Sequence, residues 1–233
     1  MEFQYQLFDI MDYLFFGDME FIDVLNDIVK YYPIGINRFD SAYWQYEGTI
    51  LRETLCAEKL NTKDYRRWKT FVKKQSANTG GVLSYDYGAP LTLPSYYGSY
   101  LLDKQKIEKV IYQREIRFHV SVLAPYYTIY GLDKISVKNH NDIFAEFEPL
   151  LVISPLDIYE QWFYTLRNKI ETSYKNYIFL SFSTLKKRPK ALSVPAANVK
   201  DGQDASIFNA LFSPEDITNY KVMGDIFYGS VSK

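Results

Sequence analysis

Between residues 76 and 100 the chain reads SANTGGVLSYDYGAPLTLPSYYGSY, and Gly80, Gly81, Gly88, Pro90, Pro94 and Gly98 punctuate it throughout. Proline lacks the N–H that a helix interior or a central strand needs. Glycine loses the most conformational freedom in either element, so no helix and no long strand is expected to run through this stretch. Irregular segments of such length are uncommon inside a compact domain and are functional loops or linkers where they occur. The stretch therefore predicts three regions: a helical N-terminal part at 1–76, a Gly/Pro/Tyr-rich loop at 77–100, and an α+β part at 101–233.

Before that boundary the apolar period is helical. Phe3, Leu7, Ile10, Met11 and Leu14 share one face over 2–16, and Gly17 is the expected stop. Asp18 is placed to cap a second helix with the stripe Phe21, Ile22, Leu25, Ile28 and Val29, ended by Tyr31-Tyr32-Pro33. Residues 40–60 fit a helix carrying Trp44, Leu51 and Leu55, in preference to a strand bent at Gly48. Thr62 is the expected cap of a clearer helix bearing Tyr65, Trp68, Phe71 and Val72.

After the boundary the period becomes two. Ile116, Phe118, Val120 and Val122 alternate with Arg117, His119 and Ser121, which predicts a strand with one buried and one solvated face. Ala124-Pro125 interrupts, YYTIYGL reads as a second strand to Gly131, ISV as a third, and IFAEFEPLLVI as one or two more. Ser154-Pro155 marks an N-cap with proline at the first helical position, followed by the stripe Leu156, Tyr159, Phe163, Leu166 and Ile170. A strand at Ile178, Leu180 and Phe182, a further one at ALSV, a polar loop at 195–206 and a short helix from Ser213-Pro214 complete the reading. The class expected is α+β: a helical N-terminal part followed by a mainly antiparallel sheet covered by helices on one face.

Composition narrows the function classes. A chain of 233 residues, 47% hydrophobic, can bury a sizeable core without disulfides or metal. Its net charge of −1 offers no overall attraction to phosphate, so a nucleic-acid partner is not expected. One cysteine, Cys56, excludes an intrachain disulfide and reads as a core residue. With no basic, apolar leader and no apolar run near ~20 residues, the chain is expected to be cytoplasmic and to have no membrane partner.

The chemistry-bearing motifs are few. There is no GxGxxG, GxxxxGK[ST], GxSxG or HExxH, and Thr79-Gly80-Gly81 reads as a plain turn. One cysteine and two histidines do not supply a tetrahedral metal set without distant carboxylates, so no metal and no cofactor are expected. Glu146 and Glu148 read as the wet face of an edge strand, Asp201 and Asp204 as a turn, His119 as an exposed pleat residue beside Arg117, and His140 as a turn residue.

Charge and aromatics say more. Residues 1–29 hold seven acids and no base, while 59–74 hold seven bases against Asp64 alone. Such segregation means either two helices packing with complementary surfaces or a surface that serves a charged partner. Lys186, Lys187, Arg188 and Lys190 form a short basic turn, expected to be solvated. The chain has 22 Tyr, and Tyr85, Tyr87, Tyr96, Tyr97 and Tyr100 fall within the punctuated stretch. Rigid amphipathic rings on a loop suit partner recognition. These five are the expected contact residues, with Arg66, Arg67, Lys73 and Lys74 as a polar rim. The function expected is non-catalytic: specific protein–protein contact by an immunity- or antitoxin-like partner, a small chaperone or an assembly subunit, with self-association left open. The alternative is a hydrolase using carboxylates and His119 from dispersed elements.

Overall fold

A computed structural model describes residues 20–79, 82–87, 93–138, 144–200 and 202–230, with the backbone alone for 75–79 and 82–87. The helix expected at 2–16, the Asp18 cap, His140 and Asp201 lie outside the described residues.

Among the described residues eight strands form one sheet. Its order is β1 (Val82–Tyr87), β2 (Ser95–Ile107), β3 (Val110–Ser121), β4 (Tyr126–Lys138), β6 (Leu150–Val152) and β8 (Lys221–Met223), with β5 (Phe144–Glu146) and β7 (Ile178–Phe179) also on β4. The pairings are antiparallel except β4 with β7 and β6 with β8. The α+β class with a mainly antiparallel sheet is therefore the observed one.

The described residues of the Gly/Pro-rich stretch are not a loop; 80–81 and 88–92 lie outside them. β1 and the first half of β2 run through it, paired from Val82↔Leu101 to Tyr87↔Tyr97. Pro94 stands just before β2, where its missing N–H breaks no ladder bond. Gly98 lies inside the strand because the Phe118 ring from β3 fills the space its side chain would take; a Cβ there would overlap that ring. A residue that reads as a breaker is thus a packing residue for a neighbouring strand. Likewise YYTIYGL and ISV are one strand, β4, that continues through Gly131.

The helices follow their stripes with corrections. Residues 20–28 form α1, which buries Val24 and Ile28 and leaves Ile22 exposed. The region 40–60 is helical, as α2 (Ser41–Gln45) and α3 (Glu47–Glu58). Its inward side chains are Tyr43, Thr49, Arg52 and Cys56, whereas Trp44 and Leu51 face solvent. Gly48 sits against the Lys30 carbonyl, and any side chain there would push α3 off it. α4 (Lys63–Thr79) is as expected: Thr62 Oγ1 accepts from the Tyr65 N–H at 3.1 Å, and Trp68, Phe71 and Val72 are buried. α5 (Glu160–Ser173) buries Phe163, Leu166 and Ile170. It begins later than the Ser-Pro signal, after a 3₁₀ turn at Asp157–Tyr159, and Leu156 is partly exposed. Ser154 does not cap it; its Oγ accepts from the Asp225 N–H at 3.1 Å. The strand expected at Ile178, Leu180 and Phe182 is shortened to β7, and the one expected at ALSV is absent. Short helices α6 (Phe182–Leu185) and α7 (Ile207–Leu211) carry the chain instead, and α7 precedes Ser213.

Both faces of the sheet are covered. Strand register puts Tyr96, Tyr100, Ile116, Phe118, Val120, Tyr127 and Ile129 on one face, where they pack with Trp68, Phe71 and Val72 of α4 and Phe163, Leu166 and Ile170 of α5. The opposite face, with Tyr130 and Leu132, packs with Val24, Ile28, Tyr32, Tyr43 and Cys56 and with the segment from Leu180 to Ile217. Among the described residues the N-terminal helices therefore share no core of their own: α1–α3 lie on one side and α4 on the other. Lys59 ties the crossing at the sheet's end, its buried Nζ donating to Leu93 O at 2.7 Å and Ser95 O at 3.2 Å.

The β2–β3 turn has two residues, with Glu108 at φ +53°. The left-handed region costs a side-chain-bearing residue on the order of 1 kcal/mol. Glu108→Gly is expected to raise unfolding free energy by about 0.5–1 kcal/mol in a urea titration with unchanged m-value.

Candidate functional site

β2, β3 and β4 outrun the helices that cover them, leaving an arm. On the side that α4 and α5 cover further back, register aligns three rows across the strands: Asp103–Arg114–Asp133, Gln105–Tyr112–Ile135 and Ile107–Val110–Val137. Ile107 is 58%, Tyr112 42% and Ile135 39% exposed. With their neighbours they line an open depression of about 410 Å³. The charged row closes the core behind it. Arg114 Nη1 reaches Asp157 Oδ2 at 3.4 Å, and Asp133 accepts the hydroxyl proton of buried Tyr159. The arm's other side carries Lys104, Lys106, Lys134 and Lys138, the last over the Phe144 ring. Among the described residues β1 pairs with β2 only as far as Leu101, and the edge beyond it carries Lys104 and Lys106, a pattern that disfavours strand addition. The arm's exposed large apolar residues Ile107, Tyr112 and Ile135 lie on its face, not at that edge.

The expected contact residues are distributed otherwise. Tyr96 and Tyr100 are core residues: Tyr100 OH donates to Val72 O at 2.7 Å and its ring packs on Phe118, while Tyr96 OH lies 3.1 Å from Thr62 Oγ1. Tyr97 points to the opposite face and stacks on His119 with ring centroids 4.7 Å apart. Strand geometry sends alternate rings to opposite faces, and both are covered here. Tyr85 and Tyr87 are strand residues of β1, with side chains outside the described residues. Arg66, Arg67, Lys73 and Lys74 are exposed on α4.

His119 is not on a solvated face. It is 2% exposed, held between Ser95 and Tyr130 and enclosed by Tyr97, Phe208 and Phe212. Ser95 Oγ donates to Phe212 O at 2.7 Å, which commits the hydroxyl proton. Nδ1–H therefore donates to Ser95 Oγ at 3.2 Å, and Nε2 accepts from Tyr130 OH at 3.2 Å. That is the reverse of a nucleophile–base pair, in which the imidazole takes the serine proton. Burial, reinforced by Arg117, holds the imidazole neutral, with its pKa down to about 3.

Beside it lies an ionic knot that sequence reasoning missed. Arg117 bridges Glu115 and Glu215 at 3.1 Å each, and Lys134 Nζ joins Glu115 at 3.1 Å. Burial opposes the Glu115 charge, but Arg117 and Lys134 outweigh it and hold the carboxyl below its ordinary range. Glu215 is brought there by α7. Ser206 and Asn209 form a capping box, and the Asn209 amide donates to Ser213 O and Glu215 O at 3.2 and 3.0 Å. The knot forms one wall of a cleft of about 370 Å³, also lined by Gln113, Phe147 and Tyr220. The Ser206–Asn209 spacing was the one local signal for it; the Arg117–Glu215 contact spans 98 positions and has none.

Cys56 is buried, and burial raises its thiol pKa. Glu146 and Glu148 are exposed on or beside β5, as expected. Arg188 of the basic turn is not free: it pairs with Asp216 at 2.8 Å and donates to Asp204 O at 2.6 Å. Among the described residues no group of three His, Cys, Asp or Glu is arranged to hold a metal ion, and no helix is long and apolar enough to cross a membrane. Comparison with protein-family models, curated proteins and solved structures finds no match to this chain.

Proposed function

We propose that this protein acts by specific contact with another protein and that the contact is made by the apolar face of the β2–β3–β4 arm. The observation that carries the reading is the exposed patch of Ile107, Tyr112 and Ile135, rimmed by charge and set on a three-stranded, hydrogen-bonded frame. Large apolar side chains on a rigid element, bounded by polar residues, are what a partner buries at an interface centre. Inhibition of a partner, chaperoning and assembly would all use such a face. The hydrolase reading has less support: His119 meets no carboxylate within hydrogen-bonding distance and its ring is enclosed.

The variant I107T/Y112T/I135T keeps strand-forming residues while removing the face. Its melting temperature is expected to stay within a few degrees of the parent, since the three side chains are exposed. Its affinity for the partner recovered with the parent protein from the native host is expected to fall at least about a hundredfold, as hot-spot residues contribute about 2 kcal/mol or more each. Undiminished binding by the folded variant would refute the arm as the contact surface.

A further inference from the structure

Lys63, Arg66, Arg67, Lys73 and Lys74 recur at i, i+3, i+4, i+10 and i+11 along α4, so they form one stripe on the side of the helix away from Trp68 and Val72. All five are exposed. The stripe runs for about 16 Å at the helical rise of 1.5 Å per residue. Among the described residues none of the five has an ion-pair partner, although Arg67 stacks over the Tyr174 ring at 5.3 Å. Lys59, the other base at this end of the sequence run, is buried and takes no part.

This arrangement works against the fold. Cations three and four residues apart repel. Lys63, Arg66 and Arg67 also lie in the first two turns, where the helix dipole disfavours positive charge. Of the acidic N-terminal run the structure describes Glu20, Asp23 and Asp27. Glu20 accepts from Thr184 Oγ1 at 3.3 Å, and Asp27 accepts from Lys30 and from Tyr126 OH. All three belong to α1, which packs on the opposite face of the sheet from α4.

We infer that the α4 stripe is a second contact surface, which takes an acidic segment of another protein whose carboxylates are spaced along a helix or an extended chain. The inference rests on the proposed protein-contact function for the class of partner. The details favour carboxylates over the other polyanions. Tyr65 and Tyr174 already lie beneath Lys69 and Arg67, so these rings are not free to stack on bases. The stripe itself carries no large apolar side chain to insert into a lipid surface.

The probe is a short fluorescein-labelled oligoglutamate, read by anisotropy at low and at physiological salt. The parent is expected to bind it with an affinity that weakens as salt rises. The variant K63Q/R66Q/K73Q/K74Q is expected to bind at least about tenfold more weakly. The control K104Q/K106Q/K109Q/K138Q, which removes as much charge from the arm, should bind nearly as the parent does. The stripe variant should also melt roughly 1–3 °C higher, because repulsion is relieved. Four results would each overturn the inference: equal losses in the two variants, a lower melting temperature in the stripe variant, tighter binding to a single-stranded oligonucleotide or to phosphatidylserine vesicles than to oligoglutamate, or a parent dimer that the stripe variant dissolves. Because the probe does not involve the arm, failure of the I107T/Y112T/I135T test leaves these readouts intact, and the converse holds.

Discussion

Above about pH 10 the protein is expected to lose its fold within one to two pH units, and the phenols are the reason. Burial raises the pKa of Tyr32, Tyr127, Tyr130, Tyr159 and Tyr174, and carboxylates add to it where Tyr127 donates to Glu171 and Tyr159 to Asp133. Tyr43, Tyr97 and Tyr220 are likewise pushed up to about 12. An unfolded chain ionises its tyrosines near pH 10, while the folded chain keeps these protonated. The folded state thus binds more protons, and stability falls as pH rises. The stabilisation is complete below the unfolded pKa and is lost above it. Each such phenol removes about 1.4 kcal/mol per pH unit, so the first five together remove on the order of 7 kcal/mol per unit, comparable with the whole stability of a typical domain. Lys59 acts earlier and in the opposite sense. Burial lowers its folded pKa to about 8, so stability should climb between about pH 8 and 10 before the collapse. After the gradual ionisation of exposed phenols such as Tyr112 and Tyr164, the remaining phenolate absorbance and the far-ultraviolet circular dichroism should therefore change together in one cooperative step. Gradual ionisation of the full complement of tyrosines with the fold intact would show that these rings are solvated.

On the acid side the largest single contribution should come from His119. An unfolded imidazole takes up a proton near pH 6.5, whereas the buried one resists until about pH 3. Between those values the unfolded chain binds more protons, so stability falls as pH falls, by on the order of 4 kcal/mol over the window. Glu115 adds to the loss lower down, because its folded pKa is depressed and its stabilisation disappears as it protonates. His119→Phe separates the two. The ring can still stack on Tyr97, and Ser95 keeps its bond to Phe212 O. The variant should be less stable than the parent at neutral pH yet lose less between pH 6.5 and 4 in urea titrations. Parallel pH profiles for parent and variant would mean that His119 is hydrated and titrates normally.

The residues that misled the sequence reading share a cause. Gly98 and Pro94 are breakers by local rules, but one accommodates the Phe118 ring and the other stands outside the ladder. Tyr96 and Tyr100 lay among turn residues and read as loop rings, yet the strand they belong to lies beneath α4. His119 and Arg117 alternate with Phe118 as a wet face would, and the segment after Leu180, more than sixty positions later, covers them. The apolar arm was not legible either, because Ile107, Tyr112 and Ile135 are ordinary strand residues until the helices stop short of them.

What the sequence determined by itself is what neighbouring residues encode: the α4 stripe with its Thr62 cap, the α5 stripe from Tyr159 to Ile170, the period-two run that makes β3, the basic face of α4 and the α+β class. Periodicity selects an element and marks its apolar side because side chains three or four apart, or two apart, share a face. Tertiary structure alone decided which faces are covered and by what. Register, a second layer of cover and the Arg117–Glu215 contact depend on atoms brought together across long stretches of chain, and burial is a property of that meeting and not of any local run of residues.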